Sequence, residues 1–368
     1  MKDIRFLHAA DLHLDSAFES LSPEAADERR KGQRQLLFAL AEIAEEHGVQ
    51  AVLLCGDIFD GPEIERETER DFCRAFGSLP CHVLVAPGNH DPYTPHSFWE
   101  TAHLPDNVYI FKNEEIECVE LPGVRTRFWG AGFQNSFSRP LLQDFEAPEK
   151  RLGMPDVMLI HGDTGSGESA YNQISRDELL RCGMDYVALG HIHSLSPLKI
   201  AGGTAYAYPG CTEGRGFDET GEKGALLVTL SEENGVSAEF VPLPGVRYDI
   251  VTADIGAAEP LEAVLGALSG LPAGGACRIL LKGECEELPD VNLIRKKLDG
   301  RFRELQIRDE TTRKINLWEQ AGLDTLSGVF IGKLAAMSGA AKSPAERELI
   351  ELAAHYGLAA IGNGGGLI

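Results

Sequence analysis

The chain is 368 residues long, enough for more than one ordinary domain and for a sizeable core. Its hydrophobic fraction of 43% and charged fraction of 25% are those of a globular protein, and no run approaches the ~20 apolar residues of a membrane span, which excludes a disordered chain and a transmembrane one. A net charge of −23 argues against a protein that grips a polyanion unaided, since such proteins present a basic face. The opening Met1-Lys2-Asp3-Ile4-Arg5 lacks a signal peptide's long apolar core, and the eight cysteines are scattered with no C-x-x-C pair. A cytoplasmic protein without disulfides is expected.

In chain order, residues 4 to 10 read as the first strand, and alternation puts the following Asp11 and His13 on one side of the backbone. An amphipathic helix over 33 to 47 carries Leu36, Leu37, Leu40, Ile43 and Ala44 on one face and stops at Gly48. It leads into the apolar run Val52-Leu53-Leu54-Cys55, followed at once by Gly56-Asp57-Ile58-Phe59-Asp60. Such a run reads as a buried parallel strand that delivers a carboxylate to its C-terminal end, where open α/β sheets place their ligands. A second helix, 63 to 77, crosses to a strand at 82 to 86, after which Pro87 and Gly88 force the turn that presents Asn89, His90 and Asp91. This alternation implies a mainly parallel sheet. Short strands from 108 to 130 suggest a mixed sheet, and strands at 156 to 160 and 186 to 189 then offer His161-Gly162-Asp163 and Gly190-His191-Ile192-His193. With 204 to 207, 225 to 230 and 237 to 242 closing the domain, the expected architecture is α/β, two packed mixed sheets with helices outside.

Pro242-Leu243-Pro244-Gly245 interrupts the strand pattern and reads as a domain boundary. Strand, helix, strand, helix, strand then recur at 246 to 254, 258 to 270, 276 to 282, 290 to 300 and 302 to 309. The division is therefore 1–243, a small α/β domain over 244–315, and a C-terminal helical segment over 316–368. Within 295 to 314 the charge reverses, with eight Lys and Arg, among them Arg295, Lys296 and Lys297, against four acids. A solvated helix face and a nucleic-acid patch account for that run equally well. Near the end, Leu326, Val329, Phe330, Leu334 and Met337 form one helical stripe and Leu349, Leu352, Ala353 and Tyr356 another, the second helix opening with Ser343, Pro344 and Glu346 as a capping box. The glycines from Gly362 to Gly366 read as a frayed tail.

Five short motifs place Asp, Asn or His just after an apolar run: Asp11-Leu12-His13, Gly56-Asp57, Gly88-Asn89-His90-Asp91, His161-Gly162-Asp163 and Gly190-His191-Ile192-His193. One Gly-Asp after a strand is more often a turn than a ligand, because both residues favour turns for backbone reasons. Five in succession are a different matter. The oxygen and nitrogen donors collected suit divalent Mn, Fe or Zn, and no thiolate is among them.

The order D-x-H, G-D-x-x-D, G-N-H-D, H-G, G-H-x-H resembles the calcineurin-like metallophosphoesterases. Phe6 to Ser16, and Tyr208-Pro209-Gly210-Cys211-Thr212-Glu213-Gly214-Arg215-Gly216-Phe217 with Glu219 to Gly224, look like the SbcD and YhaO-type DNA-repair exonucleases. The resemblance implies a four-layer α/β/β/α sandwich with a small α/β capping domain and C-terminal helices. It implies two divalent ions, Mn first and Fe, Zn or Mg after it. Asp57 is the choice for the carboxylate bridging them, with Asp11, His13 and His193 completing one position and Asn89, His161 and His191 the other. In the family the His of G-N-H-D contacts the scissile phosphate, which makes His90 the catalytic residue; an imidazole near its natural pKa can give a proton at neutral pH. Asp60 and Asp91 are then expected to orient histidine ligands, and Tyr208, Arg215, Arg295, Lys296 and Lys297 are candidate substrate contacts. His8, His47, His82, His96, His103 and His355 fit no motif and read as structural or surface residues.

The reading that follows is a metal-dependent phosphodiesterase, first of all a DNA exonuclease of repair, with endonuclease activity left open. Its expected partners are DNA ends or single strands, a coiled-coil ATPase subunit of SbcC type, and a second copy of the chain. A phosphatase or nucleotide phosphodiesterase on the same scaffold is the alternative enzyme. A metal-bearing DNA-end adaptor that does not cut is the alternative of another class.

Overall fold

The computed structural model describes residues 3–256, 258–314 and 318–362. They divide into two compact units, one of 1–250 with 272–278 and 300–305, the other of 251–271, 279–299 and the chain from 306. In the first unit the order is β1 (Ile4–Ala9), α1 (Pro23–Glu46), β2 (Ala51–Leu54), α2 (Arg66–Gly77), β3 (His82–Val85), α3 (Phe98–Thr101), β4 (Val108–Ile110), β5 (Glu117–Glu120), β6 (Arg127–Gly130) and β7 (Asp156–His161). It continues through α4 (Arg176–Arg181), β8 (Tyr186–Gly190), β9 (Lys199–Ala201), β10 (Thr204–Ala207), β11 (Gly224–Ser231) and β12 (Gly235–Pro242).

These strands form two six-stranded sheets, ordered β12-β11-β1-β2-β3-β4 and β5-β6-β7-β8-β10-β9. Strands β1 to β4 run parallel, as do β6, β7, β8 and β10, while antiparallel pairings occupy the β11–β12 edge of the first sheet and both edges, β5 and β9, of the second. Alternation along each strand sorts side chains into layers. Leu7, Val52, Leu54, Val83 and Val85 pack outward against Leu36, Leu37 and Leu40 of α1 and Phe72 and Phe76 of α2. Their neighbours Phe6, Leu53 and Leu84 face the second sheet and meet Phe128, Val157, Leu159 and Ala188. On the far side, Met158, Ile160, Val187 and Leu189 pack on Leu179 of α4 and on Met184. Each fully buried Leu or Phe of these layers contributes about 1.5–3 kcal/mol, so both sheets are anchored on two faces and the expected helix–sheet–sheet–helix layering is observed. His8 lies between the sheets, its Nδ1 accepting from the Tyr186 hydroxyl at 2.9 Å and its Nε2 donating to the Leu189 carbonyl at 3.1 Å.

Two boundaries differ from the sequence expectation for a physical reason. The helix expected from residue 33 begins at Pro23, capped by the Ser22 side chain. Its first turns bury polar residues, which breaks the apolar period: Arg29 pairs with Glu213, Gln33 donates to the His13 carbonyl, and Arg34 pairs with Glu65. The helix expected from 63 begins at Arg66, because the Glu65 backbone is extended and its N–H donates to Asp15.

Beyond β12 come β13 (Tyr248–Asp254), α5 (Pro260–Ala267), β14 (Ala276–Lys282), β15 (Glu284–Cys285), α6 (Val291–Lys297), β16 (Glu304–Asp309) and β17 (Thr312–Arg313). Strands β13, β14 and β16 make a three-stranded sheet in the order β13-β14-β16, and β15 pairs with β17. Helices α7 (Leu326–Ala340) and α8 (Pro344–Gly362) pack on each other. Their contact differs from the expected stripes. Ile331, Ile350 and Ala354 are buried and Phe330 lies against Gly357, whereas Leu326, Val329, Met337, Leu349, Leu352 and Tyr356 stay exposed. The start of α8 is capped as expected at Ser343, but Glu346 reaches back to the N–H of Lys342 instead of completing the box at Ser343. The glycine-rich tail after Gly362 lies outside the described residues.

Candidate metal centre

All five motifs emerge from the C-terminal ends of parallel strands, β1, β2 and β3 of one sheet and β7 and β8 of the other. That is the edge at which α/β sheets present ligands, and here two such edges meet. The turns are tight enough to put Asp11, His13, Asp57 and His191 at positive φ (53°, 45°, 52° and 106°). For a residue with a side chain this costs on the order of 1–3 kcal/mol each and persists only where neighbours hold it. The holding bonds are visible: Asp11 N–H donates to Gly56 O, His13 N–H to Asp57 O, and His191 N–H to both oxygens of Asp11. Two glycines permit the approach. A Cβ at Gly190 would strike the Cys55 carbonyl oxygen, and one at Gly88 would strike Asp57 Oδ1.

The side chains then converge. His13 Nε2 stands 3.1 Å from His193 Nε2, with Asp57 Oδ2 3.8 Å from the first and Asp11 Oδ1 4.0 Å from the second. On the other side of Asp57, His161 Nε2 lies 3.3 Å from Asp57 Oδ2 and 3.0 Å from Asn89 Oδ1. Ligand atoms of Asp11, His13 and His193 lie within 4.8 Å of one another, as do those of Asp57, His161 and His191, and those of His13, Asp57 and His90. The structure thus brings together all seven expected ligands, with Asp57 between the two groups.

Whether these residues suit cations is decided by their outer hydrogen bonds. His13 Nδ1 donates to Asp60 Oδ1 at 2.8 Å, His193 Nδ1 to Glu219 Oε1 at 2.6 Å, and His161 Nδ1 to the Cys55 carbonyl at 2.9 Å. Each acceptor can only accept, so each imidazole carries a proton on Nδ1 and turns Nε2 inward. Burial lowers His161, but the Asp57 charge and hydrogen bond raise it to about 9, so its Nε2 holds a second proton that a bound cation would displace. Two Nε2 atoms 3.1 Å apart, and a third against an amide oxygen and a carboxylate, call for positive charge between them, supplied by protons or by cations. Divalent ions fit that arrangement.

Burial, with the His161 charge next, pushes His191 down to about 4, and burial pushes His13 down to about 4 against the pull of Asp60, so both are neutral and able to ligate at pH 7. Burial raises Asp11, and Asp57 beside it adds to the rise, while His161 and His13 hold Asp57 below the usual carboxylate range despite its burial. Carboxylates buried at this expense are stabilised by bound cations.

His90 is the outlying member, its side chain 43% exposed and its ring edge-on to His13 at 4.8 Å. Its Nδ1 stays near Asp60, 3.3 Å from the carbonyl. Asp60 orients His13 as expected. Asp91 does not touch a histidine: its carboxylate accepts four backbone N–H groups, those of Asp57, Ile58, Phe59 and Gly88, and so ties the Asp57 loop to the Asn89 loop. Tyr208, a candidate substrate contact, is 2% exposed, its hydroxyl donating to Gly162 O and accepting from Thr164 N, so it braces the loop after His161 from inside the protein. Arg215 lies between Asp60 and Glu219. Arg295, Lys296 and Lys297 are exposed on α6 in the second unit, whereas the candidate metal ligands belong to the first.

Two features had no counterpart in the sequence reading. Glu219 orients His193, a role that its place at the head of the Glu219 to Gly224 stretch and its spacing of four from Arg215 did not reveal. Phe137 and Tyr171 stack at 5.7 Å and 26°, and Tyr171 lies 5.1 Å from His191, an aromatic ledge built from two loops distant in sequence. Cys211 lies with His193 and Glu219, but its thiol donates to the His193 carbonyl and burial pushes it up to about 12.

Two sheets back to back, with Asp, Asn and His gathered on five strand ends around a shared carboxylate, define a dinuclear metallophosphoesterase centre. Residues 4–195 match the calcineurin-like phosphoesterases, and the chain belongs to that family. It is similar to the uncharacterized metallophosphoesterase YhaO of Bacillus subtilis (strain 168), at 32% identity over 72% of this chain and 66% of that protein. It is also similar to the SbcD component of the nuclease SbcCD of Escherichia coli (strain K12), at 35% over 66% of this chain and 68% of that protein. A third relative is the DNA double-strand break repair protein Mre11 of Aeropyrum pernix, at 25% over 68% of this chain and 64% of that protein. The matches thus span about two thirds of the relatives' lengths.

Proposed function

We propose that the protein is a two-metal phosphodiesterase that cuts DNA, as an exonuclease of repair in the cytoplasm, with Mn as the preferred metal. The observation that carries this reading is the set of inward Nε2 atoms of His13, His193 and His161 around Asp57. Divalent ions held there would supply a water acidic enough to attack near neutral pH, and positive charge for the phosphoryl oxygens. Asp57, which stands between the two ligand groups, would help hold both ions, and His90, on the exposed side, would give a proton to the departing oxygen. A nucleic-acid substrate is favoured over a small phosphate ester by the Phe137–Tyr171 ledge, where Phe137 is 61% exposed and its stacking partner Tyr171 lies beside His191. Base stacking on such a platform is worth about 1–3 kcal/mol per base.

The acidic chain has little charge of its own with which to hold DNA. The exposed apolar face of α7 and α8 therefore points to a partner, for which the coiled-coil base of a separate ATPase of SbcC type is the choice, with residues 323–358 as the docking segment. Deleting them should abolish co-purification with that ATPase and leave cleavage of a small phosphodiester nearly intact. An unfolded truncation would show instead that the helices belong to the core.

The test of the chemistry is purified protein with Mn on labelled single-stranded and duplex DNA, on a nucleotide phosphodiester and on a phosphomonoester, alongside Asp57→Asn. Cleavage of DNA ends, lost in Asp57→Asn together with both ions, supports the reading. Turnover of the monoester alone makes the protein a phosphatase, and two ions still bound to Asp57→Asn would remove Asp57 from the bridge.

A further inference from the structure

The histidines of the two metal positions are backed unequally. His13 and His193, which share a position with Asp11, each donate from Nδ1 to a carboxylate, Asp60 and Glu219. His161, in the other group, donates to a neutral carbonyl, that of Cys55. The two carboxylates are in turn joined by one guanidinium: Arg215 Nη1 donates to Asp60 Oδ1 at 3.0 Å and Nη2 to Glu219 Oε1 at 3.1 Å. The backbone N–H of Arg215 donates to the other oxygen of Glu219 at 2.8 Å, so the loop that carries the guanidinium also fixes one of its partners.

We propose that Arg215 is a positioning residue, a clamp that locks Asp60 and Glu219 and through them sets the ring orientations of His13 and His193, making the Asp11–His13–His193 position the tighter of the two. The assignment rests on the metal-centre reading above. It replaces the expectation that Arg215 contacts substrate, and two observations speak for the replacement. Each Nη donates one N–H to a carboxylate, so the guanidinium is already held between two anions. The cleft of about 390 Å³ that opens beside them is lined by Arg215 itself together with Glu19, Asp60, Asp218 and Glu219, four acids against one cation, a balance that repels a phosphodiester. The fork geometry matters because an ammonium is a point charge that cannot hold two carboxylates in fixed relative positions.

Clamp and plain charge predict opposite signs. A cation near a metal position repels the ion, so removing it as a mere charge would tighten binding; removing a clamp loosens it. Losing an outer partner of a ligand typically costs about 10–100-fold in metal affinity.

The experiment is calorimetric titration of Mn into the full chain as wild type, Arg215→Gln, Arg215→Lys and Glu219→Gln. Near-UV circular dichroism monitors the fold, and electron paramagnetic resonance monitors the coupled two-ion signal. The wild type should take up two ions in unequal steps. In Arg215→Gln and Glu219→Gln the tighter step should weaken about 10–100-fold with the weaker step little changed, the coupled signal appearing only at correspondingly higher Mn, and Arg215→Lys should recover part of the loss. Unchanged or tighter binding in folded Arg215→Gln overturns the clamp, as does full rescue by lysine. If Arg215→Gln does not fold, Glu219→Gln decides on the same reading, unchanged affinity there overturning it. A wild type that binds no Mn overturns the metal centre itself and the clamp with it, which separates that failure from failure of the clamp alone.

Discussion

Replacing Asp91 by Asn separates a backbone role from a histidine-orienting one. The carboxylate is buried and accepts four N–H groups: Oδ1 those of Gly88 (2.7 Å) and Asp57 (3.0 Å), Oδ2 those of Ile58 (2.9 Å) and Phe59 (3.4 Å). An amide of the same shape keeps one accepting oxygen, and its NH2 must face two of these donors. A buried donor left unpaired costs about 1–3 kcal/mol, and in either orientation at least one of the two lost bonds is a short one, giving about 2–4 kcal/mol. Burial, and the Asp57 charge after it, raise the Asp91 pKa, so neutralising the group relieves some repulsion. The expectation therefore sits at the lower end, about 2 kcal/mol. Urea unfolding with a chelator present, which removes any metal contribution, should show a lower midpoint at unchanged slope, and Mn affinity should fall because the Asp57 loop is no longer tied to the Asn89 loop. A loss below about 0.5 kcal/mol, the scale of an ordinary surface substitution, would refute this account. Turnover lost without loss of stability would restore the histidine-orienting role.

His90→Ala should keep both ions, read by metal analysis, and lose about 10²–10⁴-fold in turnover; metal and rate falling together would make His90 a ligand. Replacing Arg295, Lys296 and Lys297 by Glu should weaken DNA binding and flatten its salt dependence, and an unchanged slope would reduce the run to a solvated helix face. The buried His8, pushed down to about 3 by burial against the opposing pull of the Leu189 carbonyl, stays neutral in the fold while the unfolded chain takes a proton near 6.5. Its contribution is therefore full above pH 6.5 and is lost as the pH falls toward 3. In chelator, the urea midpoint of the wild type should drop more steeply between pH 6.5 and 4 than that of His8→Gln, and parallel profiles would count against the assignment.

The candidate ligands and their strand-end positions were legible in the linear sequence, because each motif is local: an apolar run long enough to be buried, a turn that ends it, and a donor within three residues; which donors form which set came from the family resemblance. The parallel order of β1, β2 and β3 followed from the same runs and the helices between them. What supports the ligands was decided only by tertiary structure, since it depends on pairs far apart in the chain. His13 meets Asp60, His193 meets Glu219, and Asp91 meets the N–H groups of Asp57 and Ile58, contacts that exist only once separate strand ends share one edge. The early start of α1 was hidden for the same reason. Arg29, Gln33 and Arg34 read as solvent-facing by polarity, and are buried because Glu213, the His13 carbonyl and Glu65 arrive from elsewhere to satisfy them. Period and polarity report how a residue meets water, whereas a buried polar residue is determined by its partner, and that partner is supplied by the fold.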